Sequence, residues 1–419
     1  MANCDPRTGE ETLRLLGMEH PPALWLKHWD EAEQEFARGF QELPTEADIR
    51  GANTMLKLPA DAVEAICKAA ERIGGNRDLQ RLLSQWHFHF CHIPVHSLKD
   101  LYGWPLPNAV MGAEAALFPA IAIYSGLDHM REIHKARNIP SEVMEDTLAD
   151  MRIWLEDYHT RHGVWGLKEY GWLAWHISGH TFQLGRLQFA PATYGWKFRA
   201  YRNTQTGLVL AVAEDGATFR GDGQFDGTNG IFDEDGRWVS EFVETEHSIS
   251  ANPIAPCGVA LHETVALSKD VWKLVLKHGD PILEVHIPAG SKISRQACGE
   301  SFAQARRFFS KHFPETTFNA FTCDSWLLDP QFQEILAVES NIVLFEREFY
   351  ILPNLSSDGQ TFERVFGGKP NDLATARRDT SLRRAILDYV LAGHQMHRGA
   401  GFIMMEDLDW GSQSYQTSD

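Results

Sequence analysis

Three groups of residues have types and spacings that could do chemistry. His286 stands near the end of a short apolar stretch, 282–287. A neutral imidazole titrates near working pH, so it can take a proton from an attacking amine. The alternative is a core histidine bonded to backbone. Cys323 closes the next apolar stretch, 317–322. A stabilised thiolate there would be an acyl-accepting nucleophile, although a buried cysteine is more often a small hydrophobe. Asp324, Ser325 and Trp326 follow directly. Ser325 is a candidate to orient a carbonyl, donate to an oxyanion or protonate a leaving thiolate; turn bonding and helix capping are the alternative. Asp324 and Trp326 are candidate substrate contacts. Arg186 and Gln188 alternate with Leu187 and Phe189, so they face either solvent or a cleft. In a cleft Arg186 could clamp a substrate carboxylate.

Metal chemistry has weaker support. His89, His92 and His96 step by three and four, near His87 and Cys91, so zinc is conceivable. Pro94 interrupts that helical spacing and no HExxH motif is present, so no metal is expected. His176, His180 and His262 read as single structural histidines near aromatics. Asp222, Asp226, Asp233 and Asp235 lie in a Gly-rich loop but do not follow the calcium-loop order, which favours a solvated acidic loop. GxSxG, P-loop and GxGxxG patterns are absent, which weakens hydrolase, nucleotide and dinucleotide readings.

The elements that must position these residues fall into two parts. A length of 419 residues predicts two to three domains and a core that needs no disulfide or metal. A helical N-terminal domain is expected over 1–160. Over 60–73, Val63, Ile66, Cys67 and Ala70 share a helix face. Helices follow at 79–90 and from Ser141, which is read as a cap with Glu142 and Glu145 behind it. After His162 and Gly163 the texture changes, and a second domain is expected over 161–419. It opens with a strand at 182–189. Strands at 197–203 and 208–213 flank a hairpin turn, within a β-rich insertion placed at roughly 196–265. Then come a strand at 282–287, a helix at 294–313 and a strand at 317–322. A helix from Asp329 and Pro330, strands at 341–345 and 349–352, and a helix from Thr380 to His394 complete the order. Two strands joined by a helix predict a parallel crossover. The fold class is α+β.

Composition excludes several partners. With 39 Lys and Arg against 57 Asp and Glu, the net charge is −18. That disfavours nucleic acid and anionic membrane surfaces. The 43% hydrophobic and 23% charged content is ordinary for a globular protein. The best apolar run, 115–124, is short and contains Pro119, so no membrane span is expected. No basic stretch followed by an apolar core opens the chain, so no signal peptide is expected. Six scattered cysteines without a CxxC pair read as reduced thiols in the cytoplasm.

Several segments carry a family likeness: 185–189 (Gly-Arg-Leu-Gln-Phe), 285–290 (Val-His-Ile-Pro-Ala-Gly), 323–330 (Cys-Asp-Ser-Trp-Leu-Leu-Asp-Pro), 340–342 and 380–382. With the element order, they make the chain resemble, from about residue 10 to 395, bacterial two-domain acyltransferases. These have a helical N-terminal domain and a GNAT-like (GCN5-related N-acetyltransferase) C-terminal domain. The resemblance implies a mixed β-sheet flanked by helices, with strands that splay so that thioester and acceptor meet between them. It implies acyl transfer from a thioester, acyl-CoA or an acyl carrier protein, to a small-molecule amine. His286, Cys323 and Ser325 would then be the catalytic candidates. Two departures are visible. After the first core strand the usual pyrophosphate loop is replaced by 288–300, where the second small residue is missing. Gly290, Lys292, Ser294 and Arg295 are the candidate contacts for the donor's phosphates there. The helix expected at 330–338 lacks the tyrosine acid of typical relatives. A thioester decarboxylase or hydrolase, and a degenerate domain that only binds a ligand, are the alternative readings.

Overall fold

The computed structural model describes residues 9–18, 20, 22–93 and 98–415. The chain divides into two compact units between Leu184 and Gly185. The N-terminal unit is helical. Ala60–Gly74 buries Val63, Ile66, Ala70 and Ile73, the stripe its spacing predicts. Glu46–Leu56 starts with a capping box between Thr45 and Asp48. Asn76 caps Arg77–Cys91 by accepting from the amides of Asp78 and Leu79. Ser141 is not the expected cap: Pro140 holds that position of Ser141–His162, with no side-chain cap bond. Trp25, Trp86, Phe90, Trp104 and Phe118 form the aromatic centre of the core.

The helical unit runs past the expected boundary at residue 160. Tyr170–Ile177 is one more helix, and Leu173, Ala174 and Ile177 bury into the same core. The glycine at 163 ends a helix rather than a domain. The stretch Asn108–Ala136 is long and apolar enough by length and composition to cross a membrane, which the shorter run at 115–124 did not suggest. Yet 72% of its most apolar window is buried inside the protein, as a core segment would be. Gly112 and Gly126 also break it into shorter helices.

In the C-terminal unit the strands Leu187–Thr193, Pro281–His286, Ala320–Ser325, Gly399–Met404 and Tyr350–Leu352 lie side by side in that order. Pro281–His286 and Ala320–Ser325 are parallel and the other pairs antiparallel. The expected crossover helix is Arg295–His312, and its Phe302 packs edge-on against Phe189 (5.6 Å) and Phe321 (5.0 Å). Two expectations fail. Residues 341–345 are not a strand but the start of helix Asn341–Glu346, which Ser340 caps by accepting from the Val343 amide. A short apolar run does not reveal its own periodicity. The helix expected from Asp329 shrinks to Phe332–Ile335, because buried Asp329 turns back to accept from the amides of Gln331 and His397. Strand Gly399–Met404 carries no strand signal in its Gly-Ala-Gly opening. There a Cβ at Gly399 would collide with the Leu328 carbonyl, so the glycine permits the close approach.

The β-rich insertion extends to Leu276, beyond the expected 265. Phe198–Asn203 and Val209–Ala213 form the expected hairpin inside a five-stranded sheet with Val259–Ala260, Pro253–Ala255 and Trp272–Leu276. Tyr350 ties this sheet to the first one. Its buried hydroxyl donates to Ile254 O and accepts from the Ala211 amide at 3.1 Å.

Candidate functional site

The site begins where the parallel ladder stops. Ile282, Leu283 and Glu284 pair with Ala320, Phe321 and Thr322, and the ladder goes no further. Both strands nevertheless continue against their outer partners. Val285 and His286 stay paired with Phe189 and Gln188, while Cys323, Asp324 and Ser325 stay paired with Gly401, Ala400 and Gly399. The opening is therefore confined to the space between the two central strands. The backbone on its inner edges makes no ladder bond across it, and such groups need a partner from elsewhere.

Strand alternation sorts the side chains around this opening. Glu284 and His286 share a face, His286 is in register with Gln188, and Asp324 lies on that face two residues beyond Thr322. His286 Nε2 is 3.6 Å from Glu284 Oε2. Asp324 Oδ1 forms an ion pair with Arg398 Nε (2.6 Å) and accepts from Asn354 Nδ2 (3.1 Å). Desolvation raises the Asp324 carboxyl above its ordinary value, while Arg398 and Asn354 pull it back. The charge of Glu284 raises it further and His286 lowers it, so Asp324 senses all of these neighbours. A base, a carboxylate beside it and a second carboxylate held by a guanidinium thus stand at the mouth of the opening.

The other expected residues fall differently. Cys323 is on the opposite face and buried, and burial pushes its thiol well above 9, helped by Asp324 and Glu284. A thiol so held stays protonated at neutral pH, which does not support the nucleophile expected there. Ser325 is a cap: its hydroxyl accepts from the Leu327 amide at 3.2 Å. Trp326 packs on Phe332 in the apolar cluster of the C-terminal helices, and its amide donates to Gln360 (2.8 Å). Gln188 is buried beside His286 in register.

Arg186 is no free clamp. Its Nε donates to Ser291 O at 2.7 Å and its amide donates to Ser301 Oγ at 2.7 Å. It therefore fastens the loop at 287–294 to the first strand and to the crossover helix. Gly290 in that loop has φ +121, a conformation that favours glycine. Ser294 caps the helix by accepting from the Ala297 amide, and Arg295 Nη2 donates to Gly411 O at 2.6 Å. Lys292 is exposed on the loop. The helix has 18 residues, so its N-terminus presents amides and a positive dipole end to any anion nearby.

Sequence reasoning missed Glu284, Asn354 and Arg398. Glu284 was findable, since alternation places it on the His286 face. Asn354 and Arg398 come from distant segments with no local signal.

Elsewhere, His87 and His89 are buried in the helical unit. His87 is 3.1 Å from Ser125 Oγ, and burial pushes its pKa down to about 3. His89 Nδ1 is 2.7 Å from Gln85 O. His96 lies outside the described residues. Among the described residues no three His, Cys, Asp or Glu side chains converge as a metal site. His176 Nε2 is 3.4 Å from Asp150, which also accepts from Trp172 Nε1 at 2.7 Å, all within the helical core. In the acidic loop, Asp233 accepts from the Gly221 and Gly236 amides and Asp226 from the Asp233 amide. These carboxylates shape turns.

Two family models match. Residues 181–403 match the GNAT-like C-terminal domain and residues 47–179 the N-acyltransferase N-terminal domain. No curated protein matches the chain. Among solved structures, a mutant acyltransferase in complex with octanoyl-CoA is 25% identical with a TM-score of 0.66, over 94% of this chain and 98% of that one. An acyltransferase in complex with decanoyl-CoA and teicoplanin is 24% identical with a TM-score of 0.66, over 94% and 99%. The latter likeness is one of fold.

Proposed function

We propose that this chain, which belongs to the family with a GNAT-like C-terminal domain and is an acyltransferase, moves an acyl group from an acyl-CoA thioester to the amine of a small molecule. The observation that carries this reading is the ladder that stops at Glu284 and Thr322 with His286 two residues beyond. A thioester lying in the opening would find unladdered backbone amides for its carbonyl oxygen. Its phosphates would reach the N-terminus of Arg295–His312, with Gly290 and Ser294 shaping the turn and Lys292 adding charge. Octanoyl- and decanoyl-CoA in the similar structures support an acyl-CoA donor. An acyl carrier protein donor has no such support.

The reaction runs in two steps. The acceptor nitrogen forms a bond to the thioester carbon, while His286 takes the proton from the attacking amine, directly or through one water. Glu284 stabilises the imidazolium that results. Backbone amides at the opening receive the oxyanion. Collapse breaks the carbon–sulfur bond, and the imidazolium returns its proton to the leaving thiolate. Amide and free thiol are the products, and no tyrosine acid is required. Arg398 and Asn354 hold Asp324 in place to receive the acceptor's ammonium form, which releases its extra proton to solvent before the neutral amine attacks. A cytoplasmic setting, where acyl-CoA is made, belongs to the same proposal.

The test is thiol release from octanoyl- and decanoyl-CoA with a panel of small amines, with acylated product identified by mass. His286→Gln should lower kcat by roughly 10²–10⁴-fold and leave acyl-CoA affinity unchanged. Full kcat in a folded His286→Gln protein would remove the base from the account. CO₂ release from malonyl-CoA without an acceptor would move the reading to decarboxylation.

A further inference from the structure

A cavity of about 230 Å³ opens beside Asp324, with Arg398 as the residue common to both. Gly227, Leu355, Ser356, Ser357 and Gln360 complete its wall. We propose that this cavity takes a carboxylate of the acyl acceptor, so that the acceptor is an amino acid with an apolar side chain. This rests on the acyl-transfer reading, in which Asp324 receives the acceptor's ammonium.

Arg398 is built to hold a second carboxylate. Its Nε is buried against Asp324 Oδ1 at 2.6 Å, yet 34% of the side chain stays exposed. The exposed part includes the far end of the guanidinium, where Nη1 and Nη2 make no hydrogen bond among the described residues. The main chain behind it is fixed, because Ser356 Oγ donates to Arg398 O at 2.9 Å and accepts from the Arg398 amide at 3.0 Å. Asp324 thus occupies one edge of the fork and leaves its end-on pair of N–H groups for a carboxylate to accept from twice. Two more donors line the same wall. Gln360 Oε1 accepts from the Trp326 amide at 2.8 Å, which fixes the amide orientation, and its Nε2 stays open to solvent. Ser357 Oγ accepts from the Gly359 amide at 3.4 Å and keeps its own proton to donate. The lining holds no acid, and the neighbouring Asp358 is already paired with Lys369.

Two features narrow the ligand. Asp324 and Arg398 touch, so the ammonium and the carboxylate they receive must lie close together, as in an α- or β-amino acid. Leu355 and Phe232, 60% and 67% exposed, flank Gly227: a Cβ on that glycine would stand 3.6 Å from Leu355 and 3.2 Å from the Phe232 ring. Two large apolar side chains left open beside a cationic floor fit a ligand with an apolar arm. The cavity is smaller than the roughly 300–1,000 Å³ of pockets for drug-sized ligands, which suits a single amino acid.

Thiol release from octanoyl-CoA with leucine, leucinamide, isoamylamine and glycine tests this, with the acylated product identified by mass. Leucine, leucinamide and isoamylamine share an apolar arm and differ in the carboxylate, while glycine keeps the carboxylate and lacks the arm. kcat/KM for leucine is expected to exceed that of each other amine at least tenfold. Arg398→Gln should lower the ratio of leucine to leucinamide at least tenfold; the ratio cancels any loss of Asp324 positioning, which both acceptors feel. Leu355→Asp, on an exposed side chain, should lower the same ratio by repelling the carboxylate, and it decides alone if Arg398→Gln does not fold. Leucinamide or isoamylamine acylated as fast as leucine, or an unchanged ratio in either folded variant, would overturn the carboxylate site and leave acyl transfer standing. Glycine acylated as fast as leucine would overturn the apolar arm. No acylation of any amine would overturn the acyl-transfer reading and this inference with it.

Discussion

Glu346 is fully buried at the end of helix Asn341–Glu346, and both its oxygens accept from Gln333 Nε2 (2.9 and 2.7 Å). Burial lifts its pKa from 4.5 to about 7, against the pull of Gln333. A carboxyl moved that far carries about 3 kcal/mol of linkage. The sign follows from proton counting. Between pH 4.5 and about 7 the folded state holds a proton that the unfolded state has released, so this contribution is full below pH 4.5 and lost as pH rises through about 7. Asp329, also buried and lifted to about 6, acts in the same direction. It adds less than its full share because its charge is one cause of the Glu346 shift. Glu346→Gln removes the ionisation but keeps the volume. Its melting temperature relative to the parent should therefore rise between pH 5 and pH 8, by about 6–12 °C for a unit of this size. Comparing the two pH values cancels any constant packing effect of the amide. Thermal melts by circular dichroism across that range decide it. Parallel curves for the two proteins would refute the claim that Glu346 is a desolvated acid.

Further expectations concern the parts that frame the site. Gly185→Ala should cost about 1–3 kcal/mol, measured by urea unfolding, since Gly185 has φ +71 and its new Cβ would sit 2.9 Å from Ser301 Oγ. Tyr350→Phe should cost about 2 kcal/mol by the same assay, because it strands the Ile254 carbonyl and the Ala211 amide. Iodoacetamide on the native protein at pH 7.5 should label exposed Cys257 well before Cys323, and Cys323→Ala should keep its kcat. Rapid labelling of Cys323, or a large loss of kcat, would restore the thiol to the mechanism.

The sequence was most informative where local rules were sufficient. Ala60–Gly74, the hairpin around Thr204 and Gly207, and the strand–helix–strand unit around His286 each follow from spacing, turn residues and caps. It was least informative where distant chain decides. Residues 341–345 are apolar enough for a strand, yet Ser340 caps them into a helix. Strand Gly399–Met404 exists because its glycines fit against Leu328 and Tyr350, contacts no window of sequence displays. The site divides the same way. His286 was visible from its place near the end of a strand and Gln188 from alternation, and Glu284 could have been. The partners of Asp324 come from Asn354 and Arg398, and their meeting depends on the whole sheet order. Cys323 shows the converse limit, because residue type suggests a nucleophile and only burial reveals a protonated thiol.

The most direct test of the central claim is amide hydrogen exchange with and without octanoyl-CoA. If the thioester lies between the parted strands, protection should rise at Val285 and His286, through residues 287–297, and at Cys323 and Asp324. Saturable binding of octanoyl-CoA with protection elsewhere and none at these amides would contradict the account.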